Sequence, residues 1–253
     1  MSRPFLLIQL SDPHIGASWA TGDPVARLAA AIECVLDLGQ PPDAVLVSGD
    51  LADHAADDEY DQVRALIDRI DAPAYVLPGN HDGRDALRHH FGLSGGDEPI
   101  RYAADLGPLR LIALDTTVPG EDGGALDDEQ LRWLDTILAA AADTPTVVAM
   151  HHPPFEVGIP AWDAIGLAAA DRGRLGELLA RHPQVRRVVA GHVHRAIAAE
   201  LGGRAVMSAP STYVQGLLDF SAAGLELSGD PPGFVVHALV DGELVSHVQP
   251  VRA

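Results

Sequence analysis

The run Ala44 to Val47 closes on Ser48-Gly49-Asp50, and this join of a wholly apolar segment to an acidic corner limits what the chain can fold into. A run of that length without polar alternation fits a strand buried on both faces, as in sheets covered by helices. Gly49 permits a sharp turn, so Asp50 is presented beyond the carboxyl end of the strand, where open α/β sheets set their chemistry. Asp53 follows one short turn later. Gly-Asp-x-x-Asp is also ordinary turn composition. What distinguishes it is that four other apolar runs end the same way.

The first of these, Phe5 to Leu10, leads into Asp12-Pro13-His14, an i, i+2 pair that an extended backbone aims at one point. Helical spacing over Val25–Leu38 and Asp58–Ile70 flanks the Ala44 strand. A third strand, Ala74 to Leu77, ends in Pro78-Gly79-Asn80-His81-Asp82. The spacing predicts helices over Arg84–Phe91, Asp128–Ala141 and Arg174–Arg181. His89 and His90 read as packed or solvated, and Asp115, after strand Leu109–Leu114, as structural. Strand Thr146–Met150 delivers His151 and His152; adjacent residues of an extended backbone face opposite ways, so at most one should reach a shared site. Phe155 to Ala170, with Trp162, reads as an irregular loop holding at most a short helix. Strand Val185–Ala190 ends in Gly191-His192-Val193-His194. Short apolar runs follow at 196–201, 205–207, 234–240 and 244–248, the last two joined by the hairpin pair Asp241-Gly242. The fold expected is α/β: a mixed sheet or two facing sheets with helices outside and a strand-rich C-terminal end.

With 253 residues and 47% hydrophobic content the chain can bury a large core, and one domain over 1–253 is expected. Its single cysteine, Cys34, excludes an intrachain disulfide and reads as a core residue. The apolar run in MSRPFLLIQL is too short for a secretory signal, and no stretch reaches membrane-spanning length, so a cytoplasmic location is expected. A net charge of −19 argues against long nucleic-acid partners, while 36 acidic residues and 12 histidines offer donors for hard and borderline cations.

In order along the chain, Asp12-x-His14, Gly49-Asp50-x-x-Asp53, Gly79-Asn80-His81-Asp82, a strand-end His151 and Gly191-His192-x-His194 resemble the calcineurin-like metallophosphoesterase superfamily. The wording PDAVLVSGDLAD, PGNHD and MHHPP is most similar to bacterial class III cyclic nucleotide phosphodiesterases and glycerophosphodiesterases. The resemblance implies a four-layer αββα sandwich with two metal ions, Fe, Mn, Zn or Co. It implies that Asp12, His14 and His194 hold one ion, that Asn80, His151 and His192 hold the other, and that Asp50 bridges them. The activity implied is hydrolysis of a small phosphodiester, a 3',5'-cyclic nucleotide such as cyclic AMP or a glycerophosphodiester, by a metal-bridging hydroxide. His81 is then the catalytic group beside the phosphate and Asp82 a catalytic partner orienting it or another group, a task Asp53 could share. Asn80, His81 and Trp162 would contact substrate, Trp162 by stacking a base from the cavity rim. Alternatives are a phosphomonoesterase or nucleotide pyrophosphatase of the same superfamily, or a non-catalytic metal-binding scaffold; no membrane partner is expected and a homodimer is left open.

Overall fold

The apolar runs become strands whose alternate residues serve different cores, which is why they show no polar alternation. In β2 (Ala44–Ser48) every residue is buried. Val45 and Val47 point to a core shared with helices, Ala44 and Leu46 to one shared with a second sheet. β1 (Phe5–Leu10) divides the same way, Leu6, Ile8 and Leu10 against Leu7. Burying each such side chain contributes about 1.5–3 kcal/mol.

The structure is a computed structural model that describes residues 3–251; the two residues at each end of the expected 1–253 domain lie outside it. After β1 come α1 (Pro24–Leu36), β2, α2 (Asp57–Ile67), β3 (Ala74–Leu77) and α3 (Arg84–Phe91). Then follow β4 (Tyr102–Asp105), β5 (Arg110–Ala113), α4 (Asp128–Ala139), β6 (Thr146–Ala149), α5 (Pro160–Asp163), α6 (Ala169–Ala180) and β7 (Val185–Ala190). The C-terminal part contributes β8 (Ile197–Leu201), β9 (Arg204–Ser208), β10 (Gln215–Gly216), β11 (Leu227–Ser228), β12 (Gly233–Val240) and β13 (Glu243–Pro250). One sheet has the order β13-β12-β1-β2-β3 and the other β4-β5-β6-β7-β9-β8. Within them β1, β2 and β3 are mutually parallel, as are β5, β6 and β7.

Helices α1, α2 and α3 cover the outer face of the first sheet through Leu28, Ile32, Tyr60, Val63 and Leu87. Helices α4 and α6 cover the second through Leu131, Leu134, Leu175 and Leu179. Between the sheets, Leu7, Leu46 and Leu77 meet Leu111, Val147, Val189 and Met207. The result is the expected αββα layering. A polar thread also crosses this middle layer: His237 meets Gln9 at 3.0 Å, and the Gln9 amide donates to Ser48 Oγ at 2.8 Å and to the Ala190 carbonyl at 2.9 Å. Being hydrogen-bonded, those buried groups fix the relative placement of β1, β2, β7 and β12 while the bonds offset their desolvation.

Helix starts follow their local chemistry. Asp23 caps α1 by accepting from Val25 N with Pro24 in the first turn, and Asp127 caps α4 by accepting from Gln130 N. Asp241 and Gly242 both have positive φ and close the β12–β13 hairpin. Helix α6 begins five residues before the expected Arg174, because its first turn, Ala169–Gly173, carries no large apolar side chain to mark it. Strand β4 was not expected either; Tyr102-Ala-Ala-Asp105 lacks alternation and forms because it pairs with β5. Among the described residues no helix is long and apolar enough to cross a membrane.

Candidate metal centre

Every corner singled out in the sequence lies at the carboxyl end of one of five parallel strands, β1, β2, β3, β6 and β7. The turns are tight. Of the seven described non-glycine residues with positive φ, five are Asp12, His14, Asp50, His192 and His194, so these side chains are set by left-handed backbone that costs on the order of 1 kcal/mol or more apiece. Gly79 is required for a different reason: a Cβ there would overlap the Asp50 carboxylate.

Asp12, His14, Asp50 and His194 are buried, and each offers a donor atom within 4.8 Å of the others. His14 Nε2 lies 3.1 Å from His194 Nε2 and 3.4 Å from Asp50 Oδ2, while His194 Nε2 is 3.5 Å from Asp12 Oδ1. On the other side of Asp50, His151 Nε2 lies 3.3 Å from the same Oδ2 and 3.2 Å from Asn80 Oδ1. The ring of His192 packs 5.1 Å from that of His151.

The outer nitrogens identify what these atoms are for. His14 Nδ1 donates to Asp53 Oδ1 at 2.9 Å, His151 Nδ1 to the Ser48 carbonyl at 2.9 Å, His194 Nδ1 to the Val214 carbonyl at 2.9 Å and His192 Nε2 to the Ile165 carbonyl at 3.0 Å. Carbonyl and carboxylate oxygens accept, so each of these histidines carries a proton on the outer nitrogen and turns its other nitrogen inward, where a lone pair would meet a bound cation. The inner nitrogens of His14 and His194 thus face each other and that of His151 faces two oxygens; against the penalty of burial, Asp50 raises the pKa of His14 and pushes that of His151 up to about 9. A cation would take the place of these inner protons, and outer N–H bonds of this kind orient metal-ligating imidazoles. Burial, opposed by the His151 imidazole, pushes the Asp12 carboxyl up to about 6, with Asp50 adding to the rise. Burial also penalises a charge on Asp50, yet His151 and His14 hold its carboxyl well below the usual range. Crowding of two carboxylates in a dry site is relieved by multivalent cations, so the donor set fits a metal centre.

His81 stands at the edge of this cluster. Its backbone N–H donates to Asp50 Oδ1 at 3.0 Å and its Nδ1 to the Asp53 carbonyl at 3.1 Å, while the ring meets that of His14 edge-on. Its side chain remains 35% exposed and lines a cavity of about 460 Å³, shared with Asn80, Asp50 and His192. Asp53 joins His14, Trp19 and His81 from beneath.

Three expectations change. Asp82 does not line that cavity or meet the His81 ring; its carboxylate accepts from the backbone of Leu51, Ala52 and Gly79 and from the Tyr60 hydroxyl, locking the corner after β2 to the corner after β3. Asp82→Ala is expected to lower stability by roughly 3 kcal/mol, since four buried donors lose their acceptor. Denaturant unfolding measures this, and a loss below about 1 kcal/mol would mean that the brace is dispensable. Trp162 lines the cavity but is not an exposed rim residue: it is 7% exposed, packed with Ile159 and Val193, and its indole lies 5.9 Å from the His192 ring and 5.8 Å from that of His194. It forms a wall behind the histidines, where α5 places it.

The rings of His151 and His152 do not diverge either; they lie 5.0 Å apart, because β6 ends at Ala149 and the pair sits in a bend outside the extended strand. With His192 they form a second group within 4.8 Å. Chemistry separates them instead. His152 donates from Nε2 to the Asp122 carbonyl at 3.0 Å and accepts at Nδ1 from the Thr116 hydroxyl at 2.7 Å, leaving no lone pair for a cation. Burial and the neighbouring His151 lower its pKa to about 3. His151→Ala is therefore expected to lose metal, and His152→Ala to keep it while loosening the Asp122 loop. Metal analysis of the two proteins distinguishes them, equal losses overturning the division.

Trp19 was missed by sequence reasoning. It lines the cavity opposite Trp162, 47% exposed, with its indole N–H on Asp53 Oδ1 at 3.0 Å. The available signal was an aromatic between Gly16 and Gly22, directly after the Asp12-x-His14 corner.

Residues 5–196 match the model of the calcineurin-like phosphoesterase family. A probable cyclic nucleotide phosphodiesterase of Rhodococcus erythropolis is 33% identical, over 98% of this chain and 84% of that protein. A probable glycerophosphodiester phosphodiesterase of Arcobacter nitrofigilis is 31% identical, over 92% of this chain and 88% of its own. A dimetal phosphatase of Danio rerio shares the fold with a TM-score of 0.70 at 16% identity, over 99% of this chain and 100% of that one. With the motif order, the layering and the buried Asp/His cluster, these matches place the chain in the calcineurin-like phosphoesterase family.

Proposed function

We propose that the protein is a dinuclear metal-dependent phosphodiesterase acting on a small diester with one phosphate, a 3',5'-cyclic nucleotide or a glycerophosphodiester. The observation that carries this reading is the position of Asp50 Oδ2, 3.4 Å from His14 Nε2 and 3.3 Å from His151 Nε2, between two sets of inward lone pairs. Asp12, His14 and His194 would hold one cation and Asn80, His151 and His192 the second, with Asp50 common to both. Metal ions bound there supply Lewis acidity and lower the pKa of water.

The chain's own groups do the rest. His81, with Nδ1–H given to the Asp53 carbonyl, keeps Nε2 for the cavity; as the imidazolium it would give the Nε2 proton to the departing alkoxide while a water oxygen bonds to phosphorus and the bond from phosphorus to the leaving oxygen breaks. A glycerophosphodiester gives a phosphomonoester and a separate alcohol, whereas a cyclic nucleotide opens to a single nucleoside monophosphate that carries the freed hydroxyl. Asp53 orients His14 and His81 together, and Asn80 lines the cavity beside them. The names of the relatives support both substrate types. The net charge of −19 disfavours long polyanions.

The test is hydrolysis of cyclic AMP, glycerophosphoglycerol, p-nitrophenyl phosphate and an oligonucleotide with added Mn, Zn, Co or Fe, before and after chelation. Turnover of a small diester that chelation abolishes and metal restores is expected. Faster cleavage of the monoester or the oligonucleotide, or no metal-dependent turnover of any of them, would replace the reading with another of the alternatives.

A further inference from the structure

Nine large hydrophobic side chains are exposed among the described residues, and five of them belong to two segments at one end of the molecule: Trp19, and Leu218, Phe220, Leu225 and Leu227. Leu218, Phe220 and Leu225 lie on the excursion between β10 and β11, which is closed at its base by Leu217 N donating to the Glu226 carbonyl at 2.7 Å, and Leu227 opens β11. Trp19, Leu225 and Leu227 line the same cavity as His81 and the histidine cluster. Apolar surface concentrated around a cavity mouth marks a ligand-binding face more often than chance exposure does.

Trp19 is also held still. Its N–H is fixed on Asp53 Oδ1, its ring meets His14 edge-on at 5.2 Å, and Tyr213 stands against it at 5.4 Å with the planes at 70°. A flat ring that is pinned yet 47% exposed offers contact area with little rotamer entropy left to lose on binding. The volume of about 460 Å³ suits a ligand of nucleotide size. A glycerol group brings hydroxyls that indole and leucine side chains cannot satisfy, whereas a nucleobase brings two apolar faces.

We propose that Trp19, with Leu225 and Leu227 across the mouth, selects diesters that carry a nucleobase over diesters that carry glycerol. This rests on the phosphodiesterase reading and assigns its substrate class. Asp53 links Trp19 to His14, so a change at Trp19 can also reach the metal ligands; the leucines make no such link.

The experiment compares the parent protein with Trp19→Ala, Trp19→Phe and the double variant Leu225→Ser/Leu227→Ser on cyclic AMP and on glycerophosphoglycerol, with metal content measured for each. Glycerophosphoglycerol is the control because its ester groups are uncharged and are not drawn to the Asp122 carboxylate at the mouth. In Trp19→Ala, KM for cyclic AMP is expected to rise about tenfold, the size of a lost base stack, with any fall in kcat shared by both diesters. The double variant should show the same direction with kcat within about twofold and with glycerophosphoglycerol changed by less than about twofold, and Trp19→Phe should recover most of the loss in KM for cyclic AMP. Equal rises of KM on both diesters, or an unchanged KM for cyclic AMP in both Trp19→Ala and the leucine variant, overturns the selection while leaving the phosphodiesterase reading intact. Preference of the parent for lysophosphatidylcholine over cyclic AMP overturns it too, since the apolar mouth would then serve an acyl chain. A parent that hydrolyses no diester removes both readings together.

Discussion

Asp50→Ala is expected to leave a folded protein that has lost at least one metal ion and nearly all turnover. Its Oδ2 is the one carboxylate oxygen near both sets of imidazole lone pairs, so no remaining donor can join the two halves of the cluster. The loss should exceed the ~10²–10³-fold cost of removing a single electrostatic donor, because the alanine removes both a charge and a metal ligand. Folding should survive, since the three apolar layers are untouched and a buried charge is being deleted. Asp50→Asn, which keeps an acceptor for the His81 N–H, separates lost charge from lost shape. Metal analysis with kcat and a thermal melt reads all of this. Full metal content with full activity would sink the assignment of Asp50.

His81→Ala should behave in the opposite way toward metal. Its ring sits beside the donor cluster with Nδ1 committed to the Asp53 carbonyl, and its side chain is more than a third exposed, so both metal ions and the fold should be retained. Turnover should fall by ~10² or more, the usual range for a general acid or a transition-state donor. A leaving group that departs without a proton provides the finer check: p-nitrophenolate diesters should lose less rate than cyclic AMP. Loss of metal in this variant would make His81 a ligand or a structural residue instead.

The sheets were legible in the sequence because residues with no polar alternation must be buried twice over, and Val45 and Val47 against Ala44 and Leu46 show the two burials directly. The corners were legible because carboxylates and imidazoles that follow such runs have no apolar role. What a linear reading could not supply was direction. The divergence expected of His151 and His152 assumed an extended backbone that ends two residues earlier, at Ala149. Asp82 resembles a reacting group in sequence but spends its oxygens on three backbone N–H groups and Tyr60, partners 22 to 31 residues away or across a tight turn. The exchange of roles between Trp162 and Trp19 has the same origin. Exposure depends on what packs against a loop, and α5 turns Trp162 inward while Asp53 holds Trp19 at the mouth.

The donor set is divided between the sheets: Asp12, His14, Asp50 and Asn80 follow strands of the first, His151, His192 and His194 strands of the second. The group of Asp12, His14, Asp50 and His194 needs both sheets. A slip of one residue along β1 would turn Leu7 toward the helices and swing the Asp12 corner out of line with β7, since side chains change face with every step. Such a chain could still bury much of its apolar surface and look folded by its secondary structure. It would lack the four-residue group that spans both sheets, so the site proofreads its own assembly: a molecule with the two sheets out of line is expected to be silent instead of partly active.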